Sequence, residues 1–416
     1  MEAYLALGGN LNERQENILK ALSLLNMSDG VRVVGVSPVY ETPAAMLYAT
    51  AKDEDNKPYL NCSVKIETTL NAFELLARLK EIEKALGRDF SRRWSPRPID
   101  LDIIFFGDET IRNETLCVPH KRYLERNFVL DALSWFKTIP AGNLYTCAHQ
   151  PLIAGVLNVT PDSFSNAKER HNVPEKFVQT FEEWENAGVQ MIDVGAESTR
   201  PYAEKIPADK EQERLAFVFD YLKSKRKTFL SPKLSIDTYH VETAQKALEN
   251  GFDVLNDVSG FNDPALFELA KSHKGKKFVF TFNEPMNDVP FERTVSACES
   301  YLRLKLEQFD KAGVDLNDLY FDCGIGFGKT ATQSLCLLQN IKSFQKYGVK
   351  LYVGHSRKSF MGVFSGVQAS ERDTETLALS VRLMTQCDVL RVHAPVEHMR
   401  AVRAVSHLNN QFFREA

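Results

Sequence analysis

The sequence predicts two folded units in tandem, an α+β ferredoxin-like N-terminal domain followed by an α/β (β/α)8 TIM barrel. The chain has 416 residues, against roughly 100–200 per domain, so a single core would be unusually large. Within residues 1–135 the hydrophobic pattern runs strand, helix, strand, strand, helix, strand, the split β-α-β order of ferredoxin-like domains. Beyond residue 150, eight short apolar runs alternate with amphipathic stretches, as in a parallel sheet covered by helices. Eight such units in about 260 residues match a (β/α)8 barrel.

Residues 3–7 alternate apolar and polar positions, Gly8-Gly9-Asn10 makes a turn, and Ile18, Leu19, Leu22 and Leu25 recur at helical spacing. A second strand is expected at 31–36 and a third at 59–67. Phe73, Leu75, Leu76, Leu79, Ile82 and Leu86 then mark a second amphipathic helix before a fourth strand at 99–106. Periodicity stops between Lys137 and Pro151, which places the first domain at 1–138, a linker at 139–150 and the barrel at 151–416. Barrel strands are expected at 152–157, 191–194, 233–236, 254–255, 278–282, 319–321, 350–353 and 389–392, with helices such as 241–250 and 302–312 between them.

Composition narrows the function classes. Hydrophobic residues make up 44% and charged residues 25% of the chain, ordinary globular values that argue against wholesale disorder. A net charge of −4 lacks the basic field that dominates binding to a phosphate backbone, so the partners are expected to be small molecules and not nucleic acid. The seven cysteines include no C-x-x-C pair, which fits neither a disulfide framework nor a zinc site and suits a reducing compartment. The N-terminus lacks the pattern of a signal peptide, and no apolar run reaches the roughly 20 residues that span a bilayer. A cytoplasmic protein without membrane contact is the expectation.

Reactive residues in the second half fall directly after the predicted strands. Asn158 follows the first; Asp193, Glu197, Ser198, Thr199 and Arg200 the second; Asp237 the third; Asn256 and Asp257 the fourth; Asp322 the sixth; Ser356, Arg357 and Lys358 the seventh; Arg391 and His393 close the eighth. In a barrel these positions converge on one mouth, where barrel enzymes keep their sites. Ser, Thr, Asp and Asn also cap helices, and any one of them taken alone reads at least as well as a cap. Arginine and lysine do not cap N-termini, so the whole set favours a site. Arg391, His393 and Asn158 offer donors for an anionic phosphate group; Asp237, Asp322 and Asn256 offer acceptors for a flat, donor-rich heterocycle. Lys358 would recognise a ring or anchor a carboxylate, surface solvation being the alternative.

The blocks Leu157-Asn158-Val159-Thr160-Pro161-Asp162-Ser163-Phe164-Ser165, Ile192-Asp193-Val194-Gly195-Ala196-Glu197-Ser198-Thr199-Arg200-Pro201, Ser235-Ile236-Asp237-Thr238, Asn256-Asp257-Val258-Ser259-Gly260, Gly326-Phe327-Gly328-Lys329, Ser356-Arg357-Lys358-Ser359 and Arg391-Val392-His393 resemble, in order, those of the dihydropteroate synthases. The resemblance implies a barrel that condenses p-aminobenzoate with dihydropterin-hydroxymethyl pyrophosphate. It implies Asn158 on Mg2+ and the pyrophosphate, and Arg391 and His393 on the phosphates. Asp237, Asn256, Asp322 and Lys358 would hold the pterin, with Thr199, Arg200, Pro201, Ser356 and Phe327 on the p-aminobenzoate side. It also implies pairing of two barrels through their helices. The chain departs from the family pattern at Asn166-Ala167-Lys168-Glu169-Arg170, at Phe282-Asn283-Glu284 and at Ala394.

In the first half, Asp100-Leu101-Asp102 lies on a predicted strand, so both carboxylates share one face with Leu101 on the other. Such a pair suits Mg2+, which takes one or two carboxylates and completes its shell with water and phosphate oxygens. Arg88, Arg92, Arg93, Trp94 and Arg97 precede it; alone they read as a solvated basic loop, but beside the carboxylates they read as an anion clamp. No G-x-x-x-x-G-K-[ST] is present, so a nucleotide would not be held by a P-loop. These residues, with Gly8-Gly9-Asn10, Thr42-Pro43, Tyr59-Leu60-Asn61, Glu83, Gly87 and Val118-Pro119-His120, resemble the 6-hydroxymethyl-7,8-dihydropterin pyrophosphokinases. That resemblance implies a ferredoxin-like fold with ATP as substrate and two Mg2+ ions on Asp100 and Asp102. Glu83, Arg88, Arg93, Arg97, His120 and Arg126 would handle ATP, and Thr42, Pro43, Asn61 and Phe128 the pterin. Gly9 stands where the family usually has Ser, Lys121 where Tyr is common, and the arginine loop is one residue short.

Both halves together imply consecutive steps on one chain, with a catalytic set of Asp100, Asp102, Arg88, Arg93, Arg97, Asn158, Asp237, Lys358, Arg391 and His393. The rival readings are a chain with one active half and one structural or dimerisation half, an RNA-binding ferredoxin-like module, and an aldolase- or isomerase-type barrel. An RNA module would show exposed sheet aromatics and a basic surface. An aldolase would want a strand-borne Schiff-base lysine.

Overall fold

The computed structural model describes residues 1–42, 57–90, 96–123, 126–133, 135–136, 145–146, 150–160, 173–197, 205–225, 228, 231–409 and 411–412. The chain divides into two compact units: the first takes Met1–Gln150, Lys227–Ser231 and Arg403–Ala416, the second Pro151–Arg226 and Pro232–Val402.

In the first unit the elements are β1 (Glu2–Gly9), α1 (Arg14–Asn26), β2 (Val31–Val36), β3 (Tyr40–Thr42), β4 (Tyr59–Thr68), α2 (Ala72–Ala85), β5 (Asp100–Phe106), the short pair β6 (Ile111–Arg112) and β7 (Cys117–Val118), α3 (Asn127–Leu133) and β8 (Tyr145–Thr146). The sheet order β2-β4-β1-β5, antiparallel throughout, is the ferredoxin-like arrangement. Alternation along the strands sends Leu5, Leu7, Val64, Ile66, Leu101 and Ile103 against Ile18, Leu22, Leu75 and Leu79 of the two helices. Tyr4, Ile104 and Phe105 go to the other face, where Val129, Leu130 and Leu133 of α3 cover them. The Asn71 side chain accepts from the Phe73 and Glu74 N–H groups while Glu74 reaches back to the Asn71 N–H, a capping box that starts α2.

The barrel strands are β9 (Leu152–Asn158), β10 (Met191–Gly195), β11 (Lys233–Asp237), β12 (Val254–Asp257), β13 (Lys277–Thr281), β14 (Leu319–Asp322), β15 (Lys350–Val353) and β16 (Val389–Val392). They pair in parallel, and β16 returns to β9 to close the barrel. Outside lie α4 (Val173–Asn186), α5 (Ala208–Ser224), α6 (Val241–Glu249), α7 (Pro264–Ser272), α8 (Thr294–Ala312), α9 (Ala331–Gln339), α10 (Asp373–Leu383) and α11 (Pro395–Asn409), and β17 (Gln411–Phe412) follows. α8 starts eight residues before the expected helix at 302. Strand β17 pairs with β8, so the stretch assigned to a linker contains a strand, and the chain from Arg403 groups with the first unit and not with the barrel.

The strands position the site through their pleat. Ala154, Met191, Val254, Val279, Tyr320, Tyr352 and Val389 form one apolar cluster, a single residue from each of seven strands. Two residues further along, on the same inward face, stand Asp193, Asn256, Asp322 and Arg391. The barrel is apolar at its waist and charged at its C-terminal mouth.

Candidate active sites

In the first unit the cluster is organised by Glu83, a fully buried carboxylate on α2. Its Oε1 accepts from the Leu101 backbone N–H at 2.7 Å, from Lys80 Nζ at 2.8 Å and from Arg88 Nη1 at 2.8 Å. Glu83 therefore holds the middle of the Asp100-Leu101-Asp102 strand and one of the arginines at once. Arg88 also donates to Asp100, and Arg97 Nη1 lies 3.5 Å from the other Asp100 oxygen. Asp102 accepts from Arg126 Nη1 at 3.0 Å, with His120 Nε2 at 3.9 Å. Burial drives the Asp100 carboxyl up, but the charges of Arg97, Arg88 and Lys80 outweigh it and hold the group below its ordinary range. Burial raises the Glu83 carboxyl and lowers the His120 imidazole against the pull of Asp102.

The arginine segment is pinned by a residue that sequence reasoning quoted without a role. Buried Asn10, at the end of β1, accepts from the Arg97 N–H at 2.9 Å through Oδ1, and its own N–H donates to the Arg97 carbonyl at 3.0 Å. On β4, across β1 from Asp100, Asn61 Nδ2 donates to Thr42 Oγ1 at 2.8 Å, and the Arg126 guanidinium sits 5.9 Å from the centre of the Phe128 ring. Arg93, Trp94 and Pro43 lie outside the described residues. No group of three or more metal-binding side chains occurs among the described residues. The Asp100 and Asp102 pair is what Mg2+ needs from protein when phosphates supply the remaining oxygens.

At the barrel mouth the sequence-predicted residues meet in three linked groups. Arg391 Nε donates to Asp193 at 2.5 Å and its Nη2 to Asp237 at 2.6 Å, and Asn256 Nδ2 donates to the same Asp193 oxygen at 3.1 Å. Arg391, expected on phosphate, is thus bridged between two carboxylates, and Asp193, placed at a strand end but given no role, is the centre of the network. The signal for it was its period-two relation to Met191. In the second group, Lys358 Nζ donates to the Ile325 carbonyl and lies 4.3 Å from the centre of the Phe327 ring. Asp322 accepts from the Gly324 N–H at 2.8 Å and feels the charges of Lys358, Arg391 and Lys329. In the third, His393 Nδ1 lies 2.9 Å from Ser356 Oγ. Asn158 borders the first group: a Cβ at Gly195 would lie 3.1 Å from Asn158 Oδ1 and 3.4 Å from Asp237 Cβ. Thr199, Arg200 and Pro201 lie outside the described residues.

Burial dominates the electrostatics of this mouth. It pushes the Asp237 carboxyl up to about 7, with Asp193, Glu211 and Asp257 adding to the shift and Arg391 opposing it. It pushes the Lys358 ammonium down to about 8 against the pull of Asp322. Oδ1 of Asp193 and Oδ1 of Asp237 are buried without a hydrogen-bond partner, acceptors left for a guest rich in N–H donors. A carboxylate and an ammonium both shifted toward neutrality, both at the barrel mouth, mark a site for chemistry.

Comparison with known proteins agrees with both geometries. A family model described as 7,8-dihydro-6-hydroxymethylpterin-pyrophosphokinase matches residues 4–137, and one described as pterin binding enzyme matches residues 154–393. The folate synthesis bifunctional protein of Chlamydia trachomatis serovar D is 32% identical over 97% of this chain and 97% of its own. The mitochondrial folate synthesis bifunctional protein of Pisum sativum is 30% identical over 97% of this chain and 88% of its own. Among solved structures, a dihydropteroate synthase from Anaplasma phagocytophilum with bound 6-hydroxymethylpterin-monophosphate aligns with a TM-score of 0.55 at 30% identity, covering 62% of this chain and 99% of that one. One from Xanthomonas albilineans with 4-aminobenzoic acid aligns with a TM-score of 0.57 at 27% identity, covering 62% of this chain and 93% of that one. An α+β unit with a carboxylate pair among arginines, then a parallel barrel whose mouth gathers acceptors for a donor-rich ring, match these proteins in order and over nearly their full length: the chain belongs to the family of bifunctional folate synthesis proteins that join a hydroxymethyl-dihydropterin pyrophosphokinase to a dihydropteroate synthase.

Proposed function

We propose that the chain performs two consecutive steps of folate synthesis. In the first unit the hydroxymethyl oxygen of 6-hydroxymethyl-7,8-dihydropterin attacks the β-phosphorus of ATP and gives up its proton to solvent, the bond to the α-phosphate breaks, and AMP leaves. In the barrel the carbon–oxygen bond to the new diphosphate breaks and the p-aminobenzoate nitrogen takes its place. The amine loses a proton, and 7,8-dihydropteroate and pyrophosphate are released. The observation that carries this reading is the pair of constellations, one anion-clamping and one ring-accepting, whose chemistries share an intermediate.

Transfer of a pyrophosphoryl group from a phosphate oxygen to an alcohol oxygen depends on positioning and charge neutralisation more than on covalent catalysis. Asp100 and Asp102 would hold Mg2+, which neutralises phosphate charge. Arg88, Arg97 and Arg126 already surround the two carboxylates and would turn to the triphosphate when it arrives, while Glu83 keeps the strand beneath them in place. Thr42, Asn61 and Phe128 would seat the pterin.

In the barrel, departure of the diphosphate leaves positive charge on a methylene conjugated to an electron-rich ring. Asp237, Asp193 and Asp322, with Asn256, would accept the ring's N–H groups and stabilise that charge. Lys358 would donate to a ring acceptor, while Phe327 and Ser356 flank the incoming amine. His393 and Arg391 would receive the leaving diphosphate, Arg391 exchanging an aspartate for a phosphate oxygen. Asn158 supplies one neutral oxygen, so a metal there would depend on the diphosphate for its other ligands. A single assay tests the reading: wild-type protein given ATP, Mg2+, hydroxymethyl dihydropterin and p-aminobenzoate should yield AMP and dihydropteroate, and AMP without dihydropteroate would leave only the first half standing.

A further inference from the structure

The turn that carries Ser356 and Lys358 bends at Arg357, whose φ of 58° lies in the left-handed region. A residue with a side chain takes that conformation at a cost and keeps it when its surroundings hold it there. Here the support comes from α10. Asp373, Thr376 and Ser380 stand at i, i+3 and i+7 of that helix, which aligns them on one face. The Asp373 carboxylate accepts both arms of the Arg357 guanidinium, Nε at 2.7 Å and Nη2 at 2.7 Å. The Thr376 hydroxyl accepts from the Arg357 backbone N–H at 3.1 Å. Ser380 Oγ lies 2.9 Å from Nε2 of His355, which is completely buried. Arg372, just before the helix, donates to the Arg357 and Lys358 carbonyls at 3.4 and 3.2 Å.

The face of α10 therefore grips the turn by its backbone and by the two side chains that point away from the mouth, leaving Ser356 on His393 and Lys358 on Phe327. The Arg357–Asp373 pair is partly exposed, with side chains 30% and 43% accessible, and by charge alone such a pair contributes little. Its geometry matters for another reason: two parallel hydrogen bonds fix the guanidinium plane, and the Thr376 bond fixes the N–H of the same strained residue. We propose that Asp373 and Thr376 are positioning residues for the barrel reaction, which hold Arg357 in its left-handed conformation and so set Ser356 and Lys358 in place. This rests on the reading of the mouth as the condensation site.

The test is steady-state kinetics of dihydropteroate formation from the preformed pyrophosphate ester by the full-length chain, with AMP formation by the first unit as internal control. Asp373→Ala should lower kcat/KM about tenfold and leave AMP formation unchanged. Thr376→Val should act in the same direction and Thr376→Ser, which keeps the hydroxyl, should not. Arg357→Gly placed in the Asp373→Ala background should restore most of the loss, because glycine takes a positive φ without a fork to hold it. An unaffected Asp373→Ala protein would overturn the proposal, and so would a double variant no better than the single one, since the carboxylate would then act by a route other than the turn. Absence of turnover by wild type would count against the assignment of the mouth and the proposal together; wild-type turnover with indifferent variants overturns the proposal alone.

Discussion

Asp237 binds its proton up to about pH 7 because burial among Asp193, Glu211 and Asp257 outweighs the Arg391 charge beside it. Its ordinary value is 3.8, so the folded barrel holds a proton that the unfolded chain releases, and this residue's contribution to stability falls as pH rises from 3.8 to about 7. Accepting from a pterin N–H calls for the ionised form, and donating from Lys358 calls for the ammonium, which is lost above about 8. The kcat/KM for the pyrophosphate ester is therefore expected to rise through about pH 7 and fall through about pH 8. Asp237→Asn should lower it roughly 10–100-fold and remove the acid limb; a variant that keeps that limb would show that another group titrates. In the first unit Glu83 binds one backbone N–H and two cations with a single oxygen. Glu83→Ala should destabilise that unit by about 3 kcal/mol, because Arg88 and the Leu101 N–H lose their buried partner. Denaturant unfolding followed on that unit measures it, and a loss under ~1 kcal/mol would mean that water replaces the carboxylate.

At the scale of elements, the first unit depends on a close approach between β1 and the segment that carries Arg97. A Cβ at Gly9 would collide with the Pro98 carbonyl oxygen, while Asn10 binds both backbone groups of Arg97. Glycine in place of the family's usual serine thus goes with an arginine segment drawn close to the strand. Gly9→Ser should push that segment away and reduce AMP formation at least tenfold without changing condensation of preformed ester; full kinase activity would mean that the segment tolerates displacement. The same elements show what the sequence could and could not reveal. All eight barrel strands stand within two residues of their expected limits, because each is a short run built around apolar residues. Strands β3, β8 and β17 are two or three residues long, and α3 spans seven, too short for a periodic signal. Asp193 was visible as a carboxylate at a strand end, but its partners Arg391 and Asn256 are distant in sequence. The Asp373 fork, sixteen residues beyond Arg357, had no local signature at all.

For the whole molecule, both domain types and their order were legible because each carries motifs dense enough to be read independently. The sequence shows a break in periodicity between Lys137 and Pro151, and the two compact units divide at Gln150 and Pro151. The grouping of the chain from Arg403 with the first unit was not legible, since the contacts that accompany it, Arg403 over the Tyr40 ring and the two-residue pairing of Gln411–Phe412 with Tyr145–Thr146, have no local signature. Among the described residues no helix is long and apolar enough to cross a membrane. The central claim is that each unit holds its own complete chemistry and that they share only the diphosphate ester. The direct measurement is to assay both half-reactions separately in two full-length variants, Asp102→Ala and Asp237→Asn. Asp102→Ala should form no AMP yet convert preformed ester and p-aminobenzoate at the wild-type rate, and Asp237→Asn should form AMP at the wild-type rate while its condensation falls roughly 10–100-fold. Loss of both activities in either variant, or loss of neither, would contradict the account.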